Sequence, residues 1–157
     1  YKEFAKILNK IRKVLMKKNF PPFHLAFPVK NLTDTKKFYI ETLGCSLGRT
    51  NTKWLDFNFF GHQITAHLSP ESFKEADSAN IVDGKNVPVR HFGLILEWND
   101  WHDMKQNLLQ KNVFFIIKPY IRFKGQMGEQ ATLFISDPSL NGIELKSFKE
   151  KEMIFSS

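Results

Sequence analysis

FHLAFPVKNLTDTKKFYIETLG, residues 23–44, and RHFGLILEWNDWHDMKQNLLQKN, residues 90–112, decide the fold when one is laid over the other. Each opens with a short apolar run rich in strand formers, passes a cluster of cap residues, and continues with apolar residues at helical spacing. In the first, Asn31 and Thr33 are the cap candidates, and Phe38, Tyr39 and Leu43 fall on one side. Gly44 supplies a left-handed C-cap. In the second, Asn99 or Asp100 caps the helix. The overlay sets Phe23-His24-Leu25 on Arg90-His91-Phe92 and Phe38-Tyr39 on Leu108-Leu109.

Three strand-like runs follow each helix. After the first come LGRT, KWLDFNFF and HQITAHLS, the last two turning at Gly61; after the second come FFIIKP, EQATLFISD and NGIELKSF. Asp137-Pro138 with Asn141-Gly142 reads as the turn into the last strand, with no chemistry of its own. The chain is therefore α+β, two β-α-β-β-β units over residues 23–69 and 88–148 whose sheets pair to form a cleft. Between them Pro70 to Pro88 is polar, lacks periodicity, and reads as a surface linker.

A chain of 157 residues with 42% hydrophobic content and sixteen Phe has enough apolar surface for one core. Its formal charge of +7 is concentrated at the start, where residues 1–18 carry seven basic side chains against Glu3 alone. A basic tail is not a basic face, so no nucleic-acid partner is expected. Residues 1–22 read as a basic amphipathic helix, with Phe4, Leu8, Ile11 and Leu15 on one stripe. Packing helix, targeting or surface-binding segment, and appended stretch all remain open for it, the packing helix being preferred. The lone Cys45 excludes an internal disulfide and reads as a small buried apolar residue in a cytoplasmic protein. No run approaches the roughly 18 apolar residues of a membrane span.

Three ionisable residues stand out because each interrupts an apolar strand: His24, His91 and Glu144. Desolvation inside such a strand costs several kcal/mol unless the group is paired. Singly, each is more often a hydrogen-bonded core residue than a ligand. Together they differ, since His24 and His91 hold equivalent places in the two halves and a pseudo-twofold brings them to one point. Two imidazoles and a carboxylate suit Zn, Mn, Fe, Co or Ni and leave coordination positions open. On HQITAHLS, alternation puts Gln63, Thr65 and His67 on one face and His62 on the other, so only one of the two histidines faces a cleft. In PYIRFKGQMGEQ, Tyr120, Arg122 and Lys124 precede the strand that leads to Glu144, and Arg122 suits a substrate carboxylate or phosphate.

FHLAFPV with NLTDTKKFYIETLGC, WLDFNFFGHQITAHL, VPVRHFGLILEW and GEQATLFISDPSLNGIELK together resemble the vicinal-oxygen-chelate superfamily over residues 23–148. That superfamily includes glyoxalases, type I extradiol dioxygenases, fosfomycin-resistance thiol transferases and bleomycin-binding proteins. DFNFFGHQ and RHFG are similar to a bacterial subgroup described as glyoxalase or dioxygenase-like. The resemblance implies the glyoxalase/bleomycin-resistance/dihydroxybiphenyl-dioxygenase fold, a homodimer, and a divalent metal on His24, His91 and Glu144. It further implies His67 as a fourth ligand or acid/base group. The extradiol pattern has a Tyr where this chain has Phe134, and a His several residues earlier where Gly125, Gln126 and Met127 stand. Its acid/base pair is absent, leaving His67 or Tyr120 for proton transfer. The expected function is a metal-dependent dioxygenase-, glyoxalase- or lyase-like enzyme on a small oxygen-rich substrate. The alternative is a non-catalytic small-molecule binding protein of the same fold.

Overall fold

The computed structural model describes residues 21–73 and 78–156, together with Lys6. Apart from Lys6, the expected N-terminal helix lies outside the described residues. The first unit runs β1 (His24–Val29), α1 (Leu32–Lys37), a wide π turn over Phe38–Thr42, β2 (Ser46–Thr50), β3 (Trp54–Phe59) and β4 (His62–Leu68). Asn31 caps α1, its side chain accepting from the Asp34 amide, and Gly44 follows at φ +80°. The second unit runs β7 (His91–Ile95), α2 (Trp98–Gln110), β8 (Phe115–Arg122), β9 (Gln130–Ser136) and β10 (Gly142–Phe148). The order is β1-β4-β3-β2 in one sheet and β7-β10-β9-β8 in the other, so the two units share a topology.

Alternation decides which residues face a helix and which face away. Ile64 and Ala66 of β4 are buried with Tyr39 and Leu43, and Leu133, Ile135, Ile143 and Leu145 are buried with Trp101 and Leu108. Trp101 also donates from its indole Nε1 to the Leu145 carbonyl at 2.8 Å, so the helix is pinned to the sheet by a polar contact inside the apolar layer. β9 is buried on its other face too, where Thr132 and Phe134 lie.

The edges β1 and β7 lie side by side, the Phe27 and Phe92 rings 5.1 Å apart. The turn between β9 and β10 bolts the halves together. The buried Asp137 carboxylate accepts from the Ser139 amide and from the Asn141 amide and side chain, each at 2.8 Å. The same carboxylate accepts from the Tyr39 hydroxyl at 3.4 Å. Asn141 donates onward to the Pro28 carbonyl of the other half at 2.9 Å, and Ser139 Oγ accepts from the Lys30 amide. Burial raises the Asp137 carboxyl above the ordinary range against the pull of these donors.

Two expectations change. Pro70 to Pro88 is not a plain linker: β5 (Ala79–Val82) and β6 (Lys85–Pro88) form a separate two-stranded hairpin. Its two-residue turn is Asp83 at φ +51° and Gly84 at φ +70°. Asp-Gly is the pair that a type I′ hairpin turn favours. The α2 cap also moves, since the helix starts at Trp98 with extended Glu97 as N-cap, so Asn99 and Asp100 lie inside the first turn.

Candidate metal and substrate site

His91 opens β7 and pairs in register with Gly142, while Glu144 pairs with Gly93, on the face turned away from α2. His91 Nδ1 is 2.7 Å from the Pro88 carbonyl. A carbonyl oxygen only accepts, so Nδ1 carries the proton and a neutral ring presents the Nε2 lone pair. That Nε2 is 3.4 Å from Glu144 Oε2. Two lone pairs so placed repel unless a proton or cation lies between them. The spacing suits two ligands of one tetrahedral ion, for which bonds of about 2.0–2.2 Å give an edge of roughly 3.3–3.6 Å. Glu144 Oε1 accepts from Thr132 Oγ1 at 2.9 Å, which fixes the carboxylate plane. The Phe134 ring stands edge-on to His91 at 5.1 Å.

Lys146 is on the same face, its Nζ 3.2 Å from Glu144 Oε2. Sequence reasoning passed over both Lys146 and Thr132. The signal lay in the strand period, since Glu144 and Lys146 are two apart on β10 and so share a face.

His24 does not join the pair. It begins β1 in the other sheet, beside Gln63 in register, and among the described residues no three His, Cys, Asp or Glu side chains stand close enough to hold a metal ion. His24 is exposed, whereas the side chains of His91 and Glu144 are only 27% and 12% exposed, so the desolvation argument holds for the pair and fails at His24. His67 is exposed near the end of β4 on the face of Gln63 and Thr65, as alternation requires. His62 Nδ1 accepts from the Phe23 amide and so anchors the start of β1. On that face a buried Asp56 gathers Arg49, Gln63 and Thr65 around its carboxylate at 3.0, 3.2 and 2.6 Å.

A cavity opens between the abutting edges, lined by Ala26 and Pro28 of β1, Phe73, and His91, Phe92 and Gly142 of the second half. It reaches His91 from the β1 side.

Tyr120 and Arg122 project from β8 onto the same face as Glu144. Tyr120 pairs with Thr132, and Thr132 with Lys146, so the three form a row across the sheet. Lys124 is exposed in the loop beyond β8. That loop is shaped by Glu129, whose carboxylate accepts from the Gly125 amide and from Lys149, and these contacts lower its pKa.

The sequence matches the model of the Glyoxalase/Bleomycin resistance protein/Dioxygenase superfamily over residues 22–145. The chain belongs to that superfamily. A glyoxalase/bleomycin resistance protein/dioxygenase from Alicyclobacillus acidocaldarius is 28% identical and superposes with a TM-score of 0.72, covering 88% of this chain and 99% of that one. A fosfomycin resistance protein from Listeria monocytogenes shares the fold at 15% identity and a TM-score of 0.63, covering 87% and 98%. A lactoylglutathione lyase from Agrobacterium tumefaciens does so at 14% and 0.57, covering 83% and 96%. A search of curated proteins returned no match. Proteins named for different functions thus share this architecture, and fold alone does not select among them. Among the described residues no helix is long and apolar enough to cross a membrane.

Proposed function

We propose that the chain is a metal-dependent enzyme acting on a small oxygen-rich substrate, its site built on the outer face of the second sheet. The observation that carries this reading is the His91–Glu144 pair, with its tautomer set by Pro88 and its carboxylate set by Thr132. Hydrogen bonds of this kind behind a ligand orient it and raise its basicity. The donor set fits a divalent ion as two members of a shell, His91 Nε2 and Glu144. A divalent ion held by His91 Nε2 and Glu144 would supply Lewis-acid chemistry to a bound substrate.

The third donor is His24, and its distance from the pair within one chain favours its delivery by a second copy. In a homodimer with exchanged halves, β1 of one protomer faces β10 of its partner, and an isologous twofold creates two such sites at once. Phe134 beside His91 offers no proton, which speaks against ring cleavage of the extradiol kind and leaves Tyr120 or His67 for proton transfer. Burial and the Asp83 carboxylate both raise the Tyr120 phenol, so it stays protonated near neutral pH and offers a hydrogen bond rather than acting as a base.

A second reading has one observation in its favour. Lys146 already neutralises Glu144, as a module that binds small molecules without metal would require.

Metal titration calorimetry on chelator-treated protein separates the two. Under the enzyme reading the wild type takes one Mn²⁺ or Zn²⁺ per chain, and His91→Ala and Glu144→Gln each weaken it at least ~10-fold while the fold remains. His24→Ala weakens it equally. Mixing equal amounts of the His24→Ala and Glu144→Gln proteins restores one site in each heterodimer, about a quarter of all sites after random reassortment, if the halves are exchanged, and none if each site belongs to one chain. Wild type that takes no metal overturns the enzyme reading in favour of the binding module.

A further inference from the structure

The Asp83 tip of the β5–β6 hairpin reaches across to β8 and meets two of its side chains. Tyr120 donates its hydroxyl to Asp83 Oδ2 at 3.2 Å, and Arg122 Nη2 donates to Oδ1 at 3.3 Å. Arg122 Nε also pairs with Oδ2 at 2.5 Å. One carboxylate is therefore held by the guanidinium fork and a phenol. A planar fork of this kind is what a carboxylate or phosphate group takes from an arginine.

The hairpin that carries Asp83 is loosely invested in the fold. It pairs with neither four-stranded sheet, all four residues of β5 are exposed, and the Asp83 side chain is 40% exposed against 24% for Arg122. Lys85 Nζ sits 4.6 Å over the Tyr120 ring and adds a second, weak hold. Beneath the tip lies the row Tyr120–Thr132–Lys146, and Thr132 is bonded to Glu144. The arginine and phenol thus share a sheet face with the pair proposed above as the reactive centre, linked to it through the Thr132 row.

We propose that Tyr120 and Arg122 form the subsite for an anionic group of the substrate, a carboxylate or a phosphate, and that Asp83 is an internal occupant which the substrate displaces. This deepens the proposed function by naming a charged group on the substrate, and it rests on that reading only for the identity of the neighbouring centre. An occupant attached to the protein lowers the apparent affinity by the fraction of time the subsite is free. A hairpin closed nine-tenths of the time makes an external anion bind about 10-fold more weakly than the subsite itself allows.

The variant to use is Asp83→Asn, because Asn-Gly suits the same type I′ turn and only the charge is lost. The protein is kept in chelator, so the metal reading is not in play, and inorganic phosphate and acetate are titrated separately while the arginine Nε–H and backbone amide resonances are followed. Asp83→Asn is expected to bind at least one of the two about 10-fold tighter than wild type. Arg122→Gln is expected to remove that binding in both backgrounds. The anion that gains more from the loss of Asp83 identifies the substrate's group. Equal affinity in wild type and Asp83→Asn for both anions, weaker binding in the variant, or binding that survives Arg122→Gln overturns the proposal. A failed metal titration with a successful anion titration would remove the metal and keep the subsite.

Discussion

Gly93→Ala is the substitution whose consequence follows most directly from the coordinates. A Cβ added at residue 93 would lie 1.6 Å from the Glu144 carbonyl oxygen, 2.6 Å from its carbonyl carbon and 3.0 Å from its nitrogen. These are backbone atoms and cannot rotate away. Carbon and oxygen need about 3.3 Å, so β7 must draw off β10 by roughly 1.7 Å, which stretches their N–H···O bonds past the ~3.2 Å limit of useful geometry. The ladder spans His91–Ile95 against Gly142–Lys146. Losing two to four of its bonds at about 1 kcal/mol each, with part of the Phe92 and Leu94 packing, gives a loss of ~3–5 kcal/mol. A domain of this size holds about 5–15 kcal/mol in all, and each kcal/mol moves Tm by about 2–4 °C. The expected fall is therefore about 10 °C, read by circular dichroism, together with weakened metal binding because His91 and Glu144 sit on the two strands that part. Gly48→Ala is the control, since its Cβ meets the Asp56 Cβ at 3.2 Å near an edge strand and should cost under about 1 kcal/mol. A Gly93→Ala protein melting within ~3 °C of wild type would refute the reasoning.

Lys146→Met removes a cation 3.2 Å from Glu144 Oε2 with a side chain about one-third exposed. Such a pair is worth up to about 1 kcal/mol, so metal should bind about 2–5-fold tighter in a chelator-competition titration, and weaker binding would show that Lys146 does not compete. Cys45 is buried and burial pushes its thiol up to about 12. Because the thiolate is the reactive form, a disulfide reagent at pH 8 should leave the native protein unmodified and label it stoichiometrically in guanidinium; rapid native labelling would contradict that burial.

The alternation of HQITAHL and GIELKSF and the helical spacing after Asn31 were enough for sequence to yield the fold, because a half-buried strand and an amphipathic helix write their burial into local periods. Glu144 joined His91 through the family resemblance, and that their strands are neighbours was decided by the sheet order β7-β10-β9-β8. Asp83-Gly84 is a hairpin turn pair that the reading of Pro70 to Pro88 as a linker did not use, because the short exposed strands around it carry no apolar alternation. Three further things were decided only in three dimensions. The Glu144, Thr132 and Lys146 contacts depend on the register of β9 against β10. The Asp83 contact with Tyr120 and Arg122 depends on where a hairpin outside both sheets comes to rest. The separation of His24 from the pair depends on how two similar sheets abut: equal places in two repeats say that two residues are related by an axis, and the distance of each residue from that axis is set by packing alone.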